Sequence, residues 1–167
     1  MRVELHILVA AALIALTPPT FAFDPKLPPL GLPTAAMYGA ALLPERDGVV
    51  SWTTFADVES VRQGSRVVPE FGKAVLALDR QRVRIQGFIV PLEVSDRRHF
   101  LVSAVPPHCP FCLPAGPDAI VEVWAKAPVA WGIEPITIAG RLEVLRDDPS
   151  GVLYRLSDAE AVVKTSR

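Results

Sequence analysis

A mainly β fold, with five strands rolled into a small barrel and short flanking helices, is predicted by three features of this chain. From residue 82 onward the apolar residues recur with period two, in five separate runs. Two of those runs are long and carry a glycine at the same place, Ile85-Gln86-Gly87-Phe88-Ile89 and Ile138-Ala139-Gly140-Arg141-Leu142. The intervals hold turn-forming residues, most plainly Asp147-Asp148-Pro149-Ser150-Gly151. A small closed barrel needs long strands that bend sharply to serve both of its halves, and a mid-strand glycine permits the bend. Two bent strands among five fit an oligonucleotide/oligosaccharide-binding-like (OB-like) barrel. A small sandwich of similar strand content is the alternative.

Residues 1–22 are expected to be a signal peptide. Ile7 to Leu16 is an uninterrupted apolar run, Pro18-Pro19 breaks it, and Thr20-Phe21-Ala22 reads as a cleavage site. The run is shorter than the roughly 20 apolar residues of a membrane span. No stable span is therefore expected after cleavage near Ala22, and the expected location is the periplasm. Residues 23–47 carry Pro25, Pro28, Pro29 and Pro33 and are expected to form an extended tether, with Ala35 to Leu43 as a short helix or packing segment. Residues 48–167 are expected to form a single domain.

Within that domain Val49 to Trp52 reads as a short strand or extended lead-in. Thr54 and Asp57 resemble a capping box, which predicts a short helix to about Arg62 with Phe55, Val58 and Val61 on one face. Gly64 and Ser65 end it. Phe71, Val75 and Leu78 predict a second short helix over Pro69 to Leu78. The strands follow: Val83 to Val90 with a change of phase at Gly87, Phe100 to Val105, Ala119 to Ala125, Ile136 to Leu145, and Val152 to Leu156. Ser157-Asp158 is expected to cap a terminal helix or coil ending near Lys164.

Composition narrows the function. The formal net charge is −1 and the pI about 6.3, so nothing in the overall charge argues for nucleic acid or an anionic membrane surface. The sequence holds no nucleophile elbow, phosphate loop, His-Glu-x-x-His or paired acidic motif, so no catalytic residue is assigned. Trp52, Trp124 and Trp131 are expected to pack in the core or at its rim. Arg80, Arg82 and Arg84 are expected to form a solvated face.

The distinctive stretch is Pro107-His108-Cys109-Pro110-Phe111-Cys112, which contains both cysteines and one of three histidines. Two thiolates in a Cys-x-x-Cys turn can occupy adjacent vertices of a tetrahedral metal site. Cys109 and Cys112 are the candidate ligands, His108 and His99 the possible third and fourth, with Asp118 or water as another way to complete a zinc site. A cuprous site is the other option. The tetrapeptide also resembles a glutaredoxin active site, but that chemistry needs a helix after the motif. Here Leu113-Pro114-Ala115-Gly116-Pro117 forbids one. A plain disulfide across so short a loop would contribute only ~2 kcal/mol in the chain-entropy estimate.

Several segments together resemble a known family. Val83-Arg84-Ile85-Gln86-Gly87-Phe88-Ile89-Val90-Pro91-Leu92-Glu93, Phe100-Leu101-Val102, Cys109 among prolines, Ile120-Val121-Glu122-Val123 and Ile138-Ala139-Gly140-Arg141-Leu142 are similar to the bacterial domain-of-unknown-function family numbered 3299. The resemblance covers about residues 50–156. It implies an exported accessory role in metal handling, near zinc uptake and export-type ABC permeases. The family commonly carries Cys-x-His, a proline run and Asn-Gln at the cysteine loop, whereas this chain has Cys109-Pro110-Phe111-Cys112 and then Leu113-Pro114-Ala115-Gly116-Pro117-Asp118. The expected function is thus a non-enzymatic periplasmic metal-binding accessory protein, for zinc or copper, partnered by an envelope transporter or another periplasmic protein. A thiol-disulfide protein, with Cys109 attacking and Cys112 resolving, and a protein–protein adaptor are the alternatives.

Overall fold

The computed structural model describes residue 39 and residues 42–93, 95–107 and 115–162. The order of elements is α1 (Trp52–Phe55), β1 (Val58–Gln63), β2 (Arg66–Phe71), α2 (Lys73–Leu76), β3 (Arg82–Pro91), β4 (His99–Ser103), a 3-10 turn (Pro117–Ala119), β5 (Ile120–Ala125), β6 (Ile136–Val144) and β7 (Tyr154–Ala161). Strands β3 to β7 close into a barrel in the order β3-β4-β5-β7-β6, with β6 pairing back to β3. All neighbours are antiparallel except β5 and β7. This is the five-stranded Greek-key arrangement of an OB-like barrel.

The two long strands close the barrel as their glycines require. Residues Arg82 to Gly87 of β3 pair with β6, and Phe88 to Pro91 pair with β4, so the strand changes partners just after Gly87. The backbone is pressed close at that corner. A Cβ on Gly87 would stand 2.5 Å from Val102 Cγ1 and 2.6 Å from the Ser103 carbonyl oxygen. The expected change of phase does not occur, because Val83, Ile85, Gly87 and Ile89 all face inward. The bend turns the strand without slipping its alternation. At Gly140 of β6 a Cβ would meet Leu156 Cγ at 2.7 Å and the Ser157 carbonyl at 2.8 Å. The register between β6 and β7 shifts between Ala139 and Arg141 at the same place.

The core is one apolar cluster. Ile85, Phe100, Val121, Val123, Ile138, Leu142 and Leu156 are fully buried inside the barrel. α1 packs Trp52 and Phe55 into it, with Ser51 as the cap whose hydroxyl accepts from the Thr53 N–H. Phe55 meets Tyr154 edge-on at 4.9 Å, and the Tyr154 hydroxyl donates to the Phe55 carbonyl at 2.6 Å. Trp52 donates its indole N–H to the Gln86 carbonyl at 2.8 Å. The helix and the barrel therefore share buried polar partners as well as apolar area.

Three sequence expectations are corrected. The helix expected from Thr54 to Arg62 stops after Phe55, and Val58–Gln63 is a strand. Gly64 and Ser65 form a two-residue hairpin turn between Gln63 and Arg66, with Gly64 at φ 64°. A glycine followed by serine at that spacing is a hairpin signal, and it outweighs the weak helical spacing of three apolar residues. The helix expected over Pro69–Leu78 begins only at Lys73. Pro69 instead sits in the two-stranded β1–β2 sheet, where an unpaired edge tolerates a missing N–H. The terminal helix is strand β7. Asp158 takes φ 51° at its bulge, a conformation that aspartate reaches more readily than most residues. Among the described residues no helix is long and apolar enough to cross a membrane.

Candidate functional site

The β4–β5 hairpin carries the candidate site. Ser103 pairs with Ile120 at one end and His99 with Trp124 at the other. The connection that runs between the Ser103 and Ile120 ends includes His108, Cys109 and Cys112, which lie outside the described residues. His99 is at the opposite end of the hairpin, four strand positions and so about 13 Å from Ser103.

Alternation on the hairpin sends Phe100, Val102, Val121 and Val123 inward. His99, Glu122 and Trp124 face outward. His99 stacks on Trp124 with ring centroids 3.8 Å apart and 13° between planes. Its Nε2 lies 2.9 Å from Glu122 Oε1, on the diagonal neighbour rather than the direct cross-strand partner. Arg155 of β7, directly opposite Glu122, donates from Nε to Glu122 Oε2 at 2.6 Å. Its Nη2 then reaches Asp148 Oδ2 at 3.2 Å, in the turn between β6 and β7. A four-residue chain of polar contacts, His99–Glu122–Arg155–Asp148, thus crosses the outside of β4, β5 and β7. Burial alone would push the Glu122 carboxyl up, but hydrogen bonds from His99 and Arg155 and the Arg155 charge outweigh it and hold the group below the usual carboxylate range. Trp124 itself is 46% exposed, so its expected core or rim role holds only at the rim.

At the other end of the hairpin the 3-10 turn presents Asp118. Burial raises its pKa, partly offset by a backbone hydrogen bond. Its carboxylate lies over Gly116, where a Cβ would come 2.5 Å from Oδ1. It has no side-chain partner among the described residues. Asp118 lines a groove of about 330 Å³ between the β1–β2 hairpin and the β6–β7 turn, together with Ser60, Pro69, Arg146 and Leu153. Residues 115–125 form that single turn and then strand β5.

Of the four expected ligands, the structure places only His99, and it places that residue against Glu122 and Trp124. Among the described residues no group of three or more His, Cys, Asp or Glu side chains is arranged to hold a metal ion. The Glu122–Arg155–Asp148 chain is not among the features the sequence predicts. Its signal was present in the outward position of Glu122 on an otherwise apolar strand, but its partners lie on β4, β7 and a turn distant in sequence.

Among solved structures, a crystal structure of a DUF3299 family protein from Pseudomonas aeruginosa PAO1 is similar at 21% sequence identity, covering 83% of this chain and 87% of that chain at a TM-score of 0.46. No curated protein matches the chain. The family model described as "Protein of unknown function (DUF3299)" matches residues 48–160, a span that takes in the whole barrel except the last position of β7. The chain belongs to the DUF3299 family.

Proposed function

We propose that this protein is an exported metal-binding accessory protein whose ion, zinc or copper, is held by Cys109 and Cys112 in the β4–β5 connection. The observation that carries the reading is Asp118. It is a half-buried carboxylate with no side-chain partner among the described residues, at the C-terminal foot of the segment that holds both thiols. Two thiolates and a carboxylate are a donor set that suits zinc, with His108 available as a fourth donor. His99 would have to leave Glu122 to join them. A cation beside Asp118 would offset the charge that burial disfavours there. The ion itself supplies either a structural clip for the connection or a cargo to be passed to an envelope transport system.

The test begins with protein purified without chelator, followed by elemental analysis and a thiol count under reducing conditions. Stoichiometric zinc or copper is expected, absent in Cys112→Ser and more weakly held in Asp118→Asn. A metal-free protein that takes up neither ion ends the reading. A metal-free protein with a readily reduced Cys109–Cys112 bond supports the thiol-disulfide alternative instead.

A further inference from the structure

The chain's net charge of −1 conceals a concentrated positive field on one wall of the barrel. Arg82 and Arg84 alternate with the inward Val83 and Ile85, so both point out from β3. They lie about 7 Å apart along the strand. Arg141 of β6 is the direct register partner of Arg82, which puts two like charges about 5 Å apart at their Cβ atoms. The partner of Arg84 is Ala139, a small floor between the arginines. Arg82 and Arg84 line an open groove of about 690 Å³, walled by Gly48 and Val49 at one side and Glu160 at the other.

Like charges in direct register are unfavourable unless something negative lies between them. Glu160 answers only part of this charge. It meets Arg82 at 3.5 Å and is already shared with Lys126 at 2.8 Å. Arg84 and Arg141 have no acidic partner among the described residues. Two arginines lining the groove over the small Ala139, with Arg141 beside Arg82 on the adjoining strand, suit an anion with several oxygens, and phosphate offers more of them than one carboxylate. A second, mostly apolar groove of about 360 Å³, with Val129, Pro135 and Ile136 in its lining, adjoins the first at Ala161 and Val162.

We propose that the outer face of β3 and β6 is a binding site for a phosphate group, gripped by Arg82, Arg84 and Arg141. The site is independent of the cysteine connection. The phosphate has two possible sources, a free phosphoanion or the headgroup of a lipid whose tail follows the apolar groove.

The experiment uses the full chain at low ionic strength and two probes. One is inorganic pyrophosphate, followed by calorimetry. The other is phosphatidylglycerol vesicles, with phosphatidylcholine vesicles as the neutral control, followed by co-sedimentation. Binding of pyrophosphate identifies a free phosphoanion site, and binding of the anionic vesicles alone identifies a lipid headgroup site. In either arm Arg84→Ala and Arg141→Ala should each weaken binding about ten- to a hundredfold, as expected for a lost charge-assisted contact. Arg98→Ala, on another part of the barrel, should leave it unchanged. The melting temperature of Arg141→Ala without ligand should equal or exceed that of the parent, since the charge directly opposite Arg82 has been removed. Three results overturn the proposal: no binding of either probe, binding indifferent to Arg84→Ala and Arg141→Ala, or equal loss with Arg98→Ala.

Discussion

Replacing Gly87 with alanine tests the barrel's closure at its tightest point. The added methyl would sit 2.5 Å from Val102 Cγ1, 2.6 Å from the Ser103 carbonyl oxygen and 3.2 Å from Trp52 Cζ2. Favourable carbon contacts begin near about 3.5 Å, so about 1 Å must open on two sides at once. One of the obstacles is backbone, held in the β3–β4 ladder by the pairing of Phe88 with Ser103. It cannot swing aside as a flexible side chain would. Overpacking of this kind costs about 3 kcal/mol, at the upper end of the usual range. Loss of glycine's freedom in the unfolded chain returns about 0.4–1 kcal/mol. The net loss of about 2 kcal/mol corresponds to a fall in melting temperature of about 8 °C for a domain of this size. Circular dichroism melts of Gly87→Ala and Gly132→Ala make the comparison. The nearest atom to a Cβ at Gly132 is 4.0 Å away, so that variant should melt with the parent. If Gly87→Ala melts within about 2 °C of the parent, the corner does not constrain the closure of the barrel.

Gly140→Ala should behave like Gly87→Ala, because its methyl would meet the Ser157 carbonyl at 2.8 Å, and the same melts check it. Glu122→Gln removes the charge between His99 and Arg155 and should cost about 1–3 kcal/mol by urea unfolding at neutral pH. Because the folded carboxyl of Glu122 is held low, its contribution is present above the unfolded value near about 4.3 and is lost as the pH falls through the lower folded value. The parent should therefore lose stability more steeply than Glu122→Gln as the solution is acidified through that window. Tyr154→Phe should cost about 1–2 kcal/mol through the lost bond to the Phe55 carbonyl. Burial, reinforced by the negative charges of Asp118 and Asp57, pushes the Tyr154 phenol well up. That contribution is complete below the unfolded value near about 10 and declines as the pH climbs toward the folded one. Alkaline unfolding followed at 295 nm should accordingly be less steep in the phenylalanine variant.

The barrel strands were legible because a closed sheet imposes both alternation and bends on its sequence. Gly87 and Gly140 announced the two corners before any contact was known. The β1–β2 hairpin is hidden in the sequence because Phe55, Val58 and Val61 fall at helical spacing, while the Gly64-Ser65 turn that decides the matter is two residues long. Strand β7 was cut short for a related reason. Ser157-Asp158 has the chemistry of a helix cap, and the chain spends it on a bulge. His99 could be named as a donor from its type alone, but its engagement with Glu122 depends on which strand lies beside it. The Arg82–Arg141 opposition was equally out of reach. It exists only once β3 and β6 are placed in register.

The β4–β5 hairpin is fastened on both flanks, by β3 along one side and by β7 along the other. Beyond the Ser103–Ile120 pair the Ala104 N–H donates to the Ala119 carbonyl at 3.0 Å, and Ala104, Val105 and Ala119 are buried in the core. The two strands that frame the connection are thus anchored from either side, as a doorway's jambs are held by the walls beside them.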